Sequence, residues 1–208
     1  MQHLPASAVP SSLGDVQLQF DLPASHRERA SFLYWQAFAG KLGRLMGPEH
    51  KARSYLETCL CPRHVLIAQH AQDGALLGLI GFKSPQGSFI APDPVALRRI
   101  YGPLGAAWRR AALALVVSDI DNERFLIDGI CVAPSVRDQG IGTALIEGLC
   151  VEARARGYRA ARLDVALNNP RAKALYERLG FEPLRLSPSN FAAKLLALGP
   201  SLSMVRPL

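Results

Sequence analysis

An apolar strand that turns through a basic, glycine-spaced loop into an amphipathic helix is a natural anion trap, and Val132-Ala133-Pro134-Ser135-Val136-Arg137-Asp138-Gln139-Gly140-Ile141-Gly142 has that form. The first turn of such a helix exposes amide N–H groups without helical partners and carries positive partial charge, so an anion docks there with little reorganisation. Gly140 and Gly142 put no Cβ in the way of a close approach, and Arg137 adds a guanidinium fork suited to phosphate oxygens. The loop is neither a Walker loop, which continues Gly-Lys-Ser/Thr, nor a dinucleotide fingerprint with its three glycines. It predicts a phosphate-bearing ligand held in another way, although the Arg-x-x-Gly-x-Gly pattern taken alone is weak and an ordinary loop also explains it.

The residues downstream sharpen that reading. A strand pattern over Ala160 to Ala166 leads to Asn168-Asn169-Pro170 and a short helix that ends at Leu179-Gly180 before Phe181. Asn169 suits the N-cap, Pro170 the first helical position and Gly180 the exit. Ala172, Leu175 and Leu179 fall on one helical face, with Tyr176 near its edge, where an amphipathic core tyrosine is the plain alternative to a functional one. Upstream, Phe125-Leu126-Ile127-Asp128-Gly129-Ile130-Cys131-Val132 is an apolar strand broken by one carboxylate. A charge there is costly unless it is paired or lines a cavity, so Asp128 is either a working group or a structural hydrogen-bonding one. Gly129 beside it suits a bulge or a close backbone approach.

Val132-x-Pro134-x-x-Arg137-x-x-Gly140-x-Gly142 followed by Asn169-x-x-Ala172-x-x-Leu175-Tyr176-x-x-x-Gly180-Phe181 resembles the GNAT superfamily of acetyl-CoA-dependent N-acetyltransferases. The likeness is specific over residues 124–183 and generic elsewhere. It implies an α/β fold with a mixed, mostly antiparallel twisted sheet of about seven strands, within the usual range of sheet sizes. Helices flank that sheet, which splays at a wedge for the cofactor. Backbone at Ile130, Cys131 and Val132 is then expected to pair with the pantetheine arm, and the amides of Arg137, Asp138, Gln139, Gly140, Ile141, Gly142 and Thr143 to hold the pyrophosphate. Asn169 and Ala172 match positions beside the cofactor arm. Tyr176 matches the tyrosine that protonates the departing thiolate, a role open to a phenol with pKa about 10.

The attacking amine must be neutral, so a base or a water chain should take its proton. Some members of the superfamily, spermidine/spermine acetyltransferases among them, carry a substrate-facing carboxylate at the position matching Asp128. The resemblance therefore implies direct transfer of acetyl from acetyl-CoA to the primary amine of a small molecule in a ternary complex, with no metal and no covalent enzyme intermediate. Cys131 is then a packed strand residue. Acetylation of a protein lysine or N-terminus, and a CoA-binding module without turnover, remain as alternatives.

These residues need a scaffold, and the rest of the chain predicts one. Val16 to Leu22 alternates like a strand, and Ala24 to about Leu45 is helical with Phe32, Trp35, Phe38, Ala39 and Leu42 on one stripe. Tyr34 departs from that stripe and, with Phe38, is a candidate wall for the acceptor; a second helix runs from Pro48 to about Cys59. Val65 to Ala71 and Leu76 to Phe82 form a hairpin over Gln72-Asp73-Gly74-Ala75, and Leu202 to Arg206 is a terminal strand. The stretch 85–122 is longer than short family members have and is expected near the acceptor end of the cleft; its Arg98, Arg99, Arg109 and Arg110 suit a solvated face or an acidic ligand. Within Ser187 to Pro200, Phe191, Leu195, Leu196 and Leu198 could cover a pocket.

At 208 residues the chain suits one domain over 13–208, preceded by a loose Pro- and Ser-rich tail at 1–12 with no apolar leader core. Its longest apolar run, Ala111 to Val117, is too short to cross a bilayer. Cys59, Cys61, Cys131 and Cys150 lack zinc-site spacing and are read as reduced thiols of a cytoplasmic protein. His64 and His70 are read as polar strand ends. The formal net charge is +7, but the basic residues are dispersed and no nucleic-acid module is present, so the polyanion CoA rather than nucleic acid is the expected partner. A positive field disfavours a polyamine acceptor. Oligomeric state is left open by the resemblance, many relatives forming homodimers through sheet edges or helices.

Overall fold

Period-two alternation divides the strand residues between two cores: Val65, Ile67 and Leu79 point to one, Leu66, Ala68, Ile80 and Phe82 to the other. In the computed structural model, which describes residues 14–116, 123–187 and 199–208, these strands form one sheet with helices on both faces. The elements are β1 (Val16–Phe20), α1 (Arg27–Met46), α2 (Glu49–Cys59), β2 (Val65–His70), β3 (Leu76–Ser84), β4 (Gly87–Ser88), α3 (Pro94–Val116), β5 (Phe125–Val132), α4 (Ile141–Ala155), β6 (Ala160–Ala166), α5 (Pro170–Arg178), β7 (Glu182–Ser187) and β8 (Ser201–Pro207). Both β5 and β6 begin and end where the sequence pattern puts them. The tail at 1–12, the end of the insertion, and Phe191, Leu195, Leu196 and Leu198 lie outside the described residues.

The sheet is eight-stranded in the order β1-β2-β3-β5-β6-β8-β7, with the short β4 paired to the end of β3. Every pairing is antiparallel except β5 with β6. This is the mixed, mostly antiparallel fold that the sequence implies. One core is closed by α1, α2 and α3 and the other by α4 and α5. Phe82 and Phe125 are fully buried with their rings 5.2 Å apart, and burial of a side chain of this size contributes about 1.5–3 kcal/mol.

Two irregularities position the site. The parallel strands β5 and β6 pair only at Phe125 with Ala161 and Leu126 with Arg162, and then part. On the other side of β5, Gly81 pairs with Gly129 and Phe82 with Ile127, so Asp128 is the extra residue of a bulge. A bulge re-aims a side chain and bends its strand, which is what a residue serving a cleft requires.

Several sequence expectations need correction. On α1 the buried residues include Ala30, Leu33, Tyr34 and Trp35, and Phe38, Ala39 and Leu42 pack against the same core, so the expected stripe holds except at Phe32 and widens to take in Tyr34. Phe32 is half-buried and lies beneath the guanidinium groups of Arg29 (5.3 Å) and Arg53 (5.1 Å). The helix must satisfy α2 as well as the sheet, and α2 covers the Phe32 side with charge rather than apolar surface. Tyr34, expected off the core, is buried, and Phe38 is half-buried.

The insertion's helix α3 is capped by Asp93, whose Oδ1 accepts from the amides of Val95 (2.8 Å) and Ala96 (3.1 Å), and it kinks at Gly102, where φ is 74°. Its arginines are not equivalent. Arg109 stacks on Tyr101 at 3.9 Å and donates to the Gly47 carbonyl, tying α3 to the end of α1. Arg98, Arg99 and Arg110 instead line a cleft of about 760 Å³.

His64 stands at the entry to β2, as expected, but it is tied into the fold. It is buried, with Nδ1 3.2 Å from Cys61 Sγ and Nε2 3.0 Å from Ser84 Oγ. Burial, and then the charge of Arg156, lowers its pKa below the ordinary value of 6.5. Because the folded state resists the proton that the unfolded chain accepts, this group's stabilisation is full above about pH 6.5 and is lost as pH falls toward the lower folded value. Melting temperature measured against pH should therefore fall on the acid side, and His64→Gln should flatten that limb; parallel curves for the two proteins would exclude His64 as its source.

Candidate active site

The anion-binding end is made by the entry to α4. Asp138 (φ 64°) and Gly140 (φ 84°) both take left-handed conformations, which curl the chain so that Gly140 becomes the N-cap. The first helical bond runs from the Ala144 amide to the Gly140 carbonyl at 3.0 Å, leaving the amides of Gly140, Ile141, Gly142 and Thr143 without helical partners. Buried Ile141 anchors the turn, and Gln139 is exposed. A Cβ on Gly142 would stand 3.5 Å from Leu175 Cδ2, an ordinary contact, so neither packing among the described residues nor backbone strain demands glycine there. Arg137 is braced on its own strand, Nε donating to the Val132 carbonyl at 3.2 Å. Asp138 pairs at 2.6 Å with Arg171, which joins the loop to α5; both side chains are open to water, so the pair adds little stability.

Beyond Leu126 the edge of β5 that faced β6 has no strand partner in the registered ladder. Ile130, Cys131 and Val132 lie on that edge, held on the other by Ile80, Leu79 and Gly78 of β3. Across the opening stands α5, capped by Asn169, whose Oδ1 accepts from the half-buried Ala172's amide at 3.1 Å. On this helix Tyr176 is 7% exposed and meets Phe181 edge-on at 6.0 Å. Burial, and then the nearness of Cys131, raises its phenol to about 12, so it is protonated at neutral pH. Burial drives the Cys131 thiol up as well.

At the other end of the bulge, Lys83 Nζ lies 3.1 Å from Asp128 Oδ1, with only 17% and 19% of the two side chains open. Over the adjoining Gly129 sit the rings of Tyr34 and Phe38, 4.5 Å apart. A Cβ on Gly129 would come within 2.9 Å of Phe38 Cζ, so glycine is what allows the ring to close on the strand. The Tyr34 phenol is raised well above its ordinary value, first by burial and then by the charges of Asp128 and Cys131. Cys131 thus lies close enough to influence both phenols, and it joins the Tyr176 side of the opening to the Asp128 side.

A model of the acetyltransferase (GNAT) family matches residues 33–181, most of the chain. The chain belongs to the GNAT acetyltransferase family. The [ribosomal protein bS18]-alanine N-acetyltransferase of Escherichia coli K12 is 37% identical over 68 residues, 33% of this chain and 46% of that protein, so the match spans about half the relative's length. An uncharacterized N-acetyltransferase of Methanocaldococcus jannaschii is 46% identical over 56 residues, 27% of this chain and 25% of that protein. The crystal structure of histone acetyltransferase HPA2 and related acetyltransferase from Corynebacterium glutamicum superposes with a TM-score of 0.62 at 20% identity, covering 93% of this chain and 97% of that one. That likeness establishes the fold.

Against this GNAT scaffold, the residues singled out in the sequence fall into two groups: loop, β5 edge and α5 around the strand opening, and Tyr34, Phe38 and Asp128 at the bulge. Lys83 and Arg171 were missed. Lys83 had a signal, since it occupies the face of β3 that Leu79 buries, where a cation requires a partner. Arg171 had none beyond its place after the cap. Among the described residues no group of side chains could hold a metal ion, and no described helix is long and apolar enough to cross a membrane.

Proposed function

We propose that this chain transfers acetyl from acetyl-CoA to the primary amine of a small molecule, by direct attack in a ternary complex. The observation that carries the proposal is the parting of β5 from β6 after two paired residues, beside the amide-rich start of α4. An arm that pairs with backbone fits the free edge at Ile130, Cys131 and Val132, and a diphosphate fits the amides from Asp138 to Thr143, the expected Arg137 amide being turned to the Pro134 carbonyl instead. Acetyl-CoA supplies an activated thioester. Asp128 takes the proton that the amine must lose, and Tyr176 donates one to the sulfur that leaves. Asn169 and Ala172 hold the start of α5 beside the arm, and Arg171 brings a cation to the phosphate loop.

Residues 13–208 are read as a single domain with an insertion at about 85–122, whose α3 packs in the same core as α1, the helix that bears Tyr34 and Phe38. The small acceptor is favoured by enclosure, because Asp128 and Lys83 are each less than a fifth open and two aromatic rings cover the neighbouring Gly129. Calorimetric titration with acetyl-CoA, followed by thiol release against amines, amino acids and peptides, tests the proposal. Binding with amine-dependent release is the expected result. No binding would overturn the reading of the loop, and release only with peptides would replace the small acceptor by a protein one.

A further inference from the structure

The ion pair between Lys83 and Asp128 constrains what can be acetylated. If Asp128 is the base, the acceptor nitrogen must come within hydrogen-bond reach of its carboxylate, roughly 2.6–3.2 Å. That carboxylate already has a cation 3.1 Å away. A simple amine entering as its ammonium would put a second positive charge beside Lys83 in a place mostly closed to water, next to the rings that cover Gly129, where repulsion is poorly screened. An acceptor that brings its own anion next to the amine avoids this. Its carboxylate takes Lys83 while its nitrogen faces Asp128, so that charges alternate across the pocket and neither buried partner loses its counter-ion.

We infer that the acceptor is an amino acid, a primary amine with a free carboxylate one or two carbons away, and that Lys83 is the residue that binds this carboxylate. The inference rests on the acetyl-transfer reading and on Asp128 facing the amine. It separates free amino acids from peptide N-termini and protein lysines, whose amines have no carboxylate nearby. It also gives a use to a lysine on an otherwise apolar strand face.

The test uses the full chain with common α-amino acids and β-alanine, each beside its amide and methyl ester, which keep the amine and lose the negative charge. Thiol release and calorimetric titration into CoA-saturated protein are both recorded. Free acids should exceed their amides at least about tenfold in kcat/KM and in affinity, the discrimination a site built around a charged partner gives. Lys83→Met should collapse that preference to within about threefold, and Lys83→Arg should keep most of it, with unchanged acetyl-CoA affinity showing that each variant is folded. Amides that serve as well as acids, or a preference that survives Lys83→Met, would overturn the inference. So would the absence of any amino-acid binding. Carboxylate- and Lys83-dependent binding without thiol release would uphold the amino-acid site and sink the transferase reading instead.

Discussion

Replacing Tyr176 by phenylalanine is expected to lower kcat about 100- to 1000-fold while leaving acetyl-CoA affinity within about twofold, the signature of a proton donor lost from the transition state alone. The variant keeps the ring against Phe181 and deletes one oxygen. A phenol raised to about 12 is a weak acid for an ordinary thiolate, and the neighbouring thiol resolves the difficulty. Cys131, buried beside the same opening, is itself pushed up by burial, so this place disfavours a sulfur anion in the same direction as a phenolate. A sulfur leaving there meets a donor whose proton affinity has moved in the same direction. Single-turnover thiol release measured beside calorimetric binding checks this. Unchanged turnover would free Tyr176 of the role and turn attention to Tyr34, the other buried phenol that feels Cys131.

The parts of the site that could be read in advance are those whose cause is local. A left-handed glycine before a helix, an Asn-Pro entry and a glycine exit are decided within a few residues, so the α4 loop and the limits of α5 follow from the chain itself. The isolated carboxylate in β5 signals by its cost, and Gly129 beside it signals the bulge. Pairings set by tertiary packing were not legible. The partner of Asp128 comes from β3, a strand whose place beside β5 no local pattern encodes. The departure of Phe32 from the core stripe of α1 depends on α2, whose Arg53 joins Arg29 over the ring, and the burial of Tyr34 likewise depends on packing beyond its own helix. His64 is recruited by Cys61 before it and by Ser84 at the end of the next strand.

Asp128→Asn should reduce kcat/KM for the acceptor by about 100-fold or more, since an amide cannot take the amine's proton. It should also destabilise the fold, because Lys83 is left with an uncompensated charge where 17% of its side chain is open. Removing one partner of a buried pair costs about 3–5 kcal/mol, and the partial exposure here places the expected loss nearer the lower figure. Activity alone cannot tell a missing base from a loosened pocket. The double variant Lys83→Met with Asp128→Asn separates them, because a methionine of similar length fills the space without charge and should recover most of the stability in a denaturant titration. If Asp128 is the base, turnover in the double variant stays as low as in the single one although the fold is restored. Turnover that returns with stability would make the carboxylate only a counter-ion for Lys83, and the amine's proton would then leave by water.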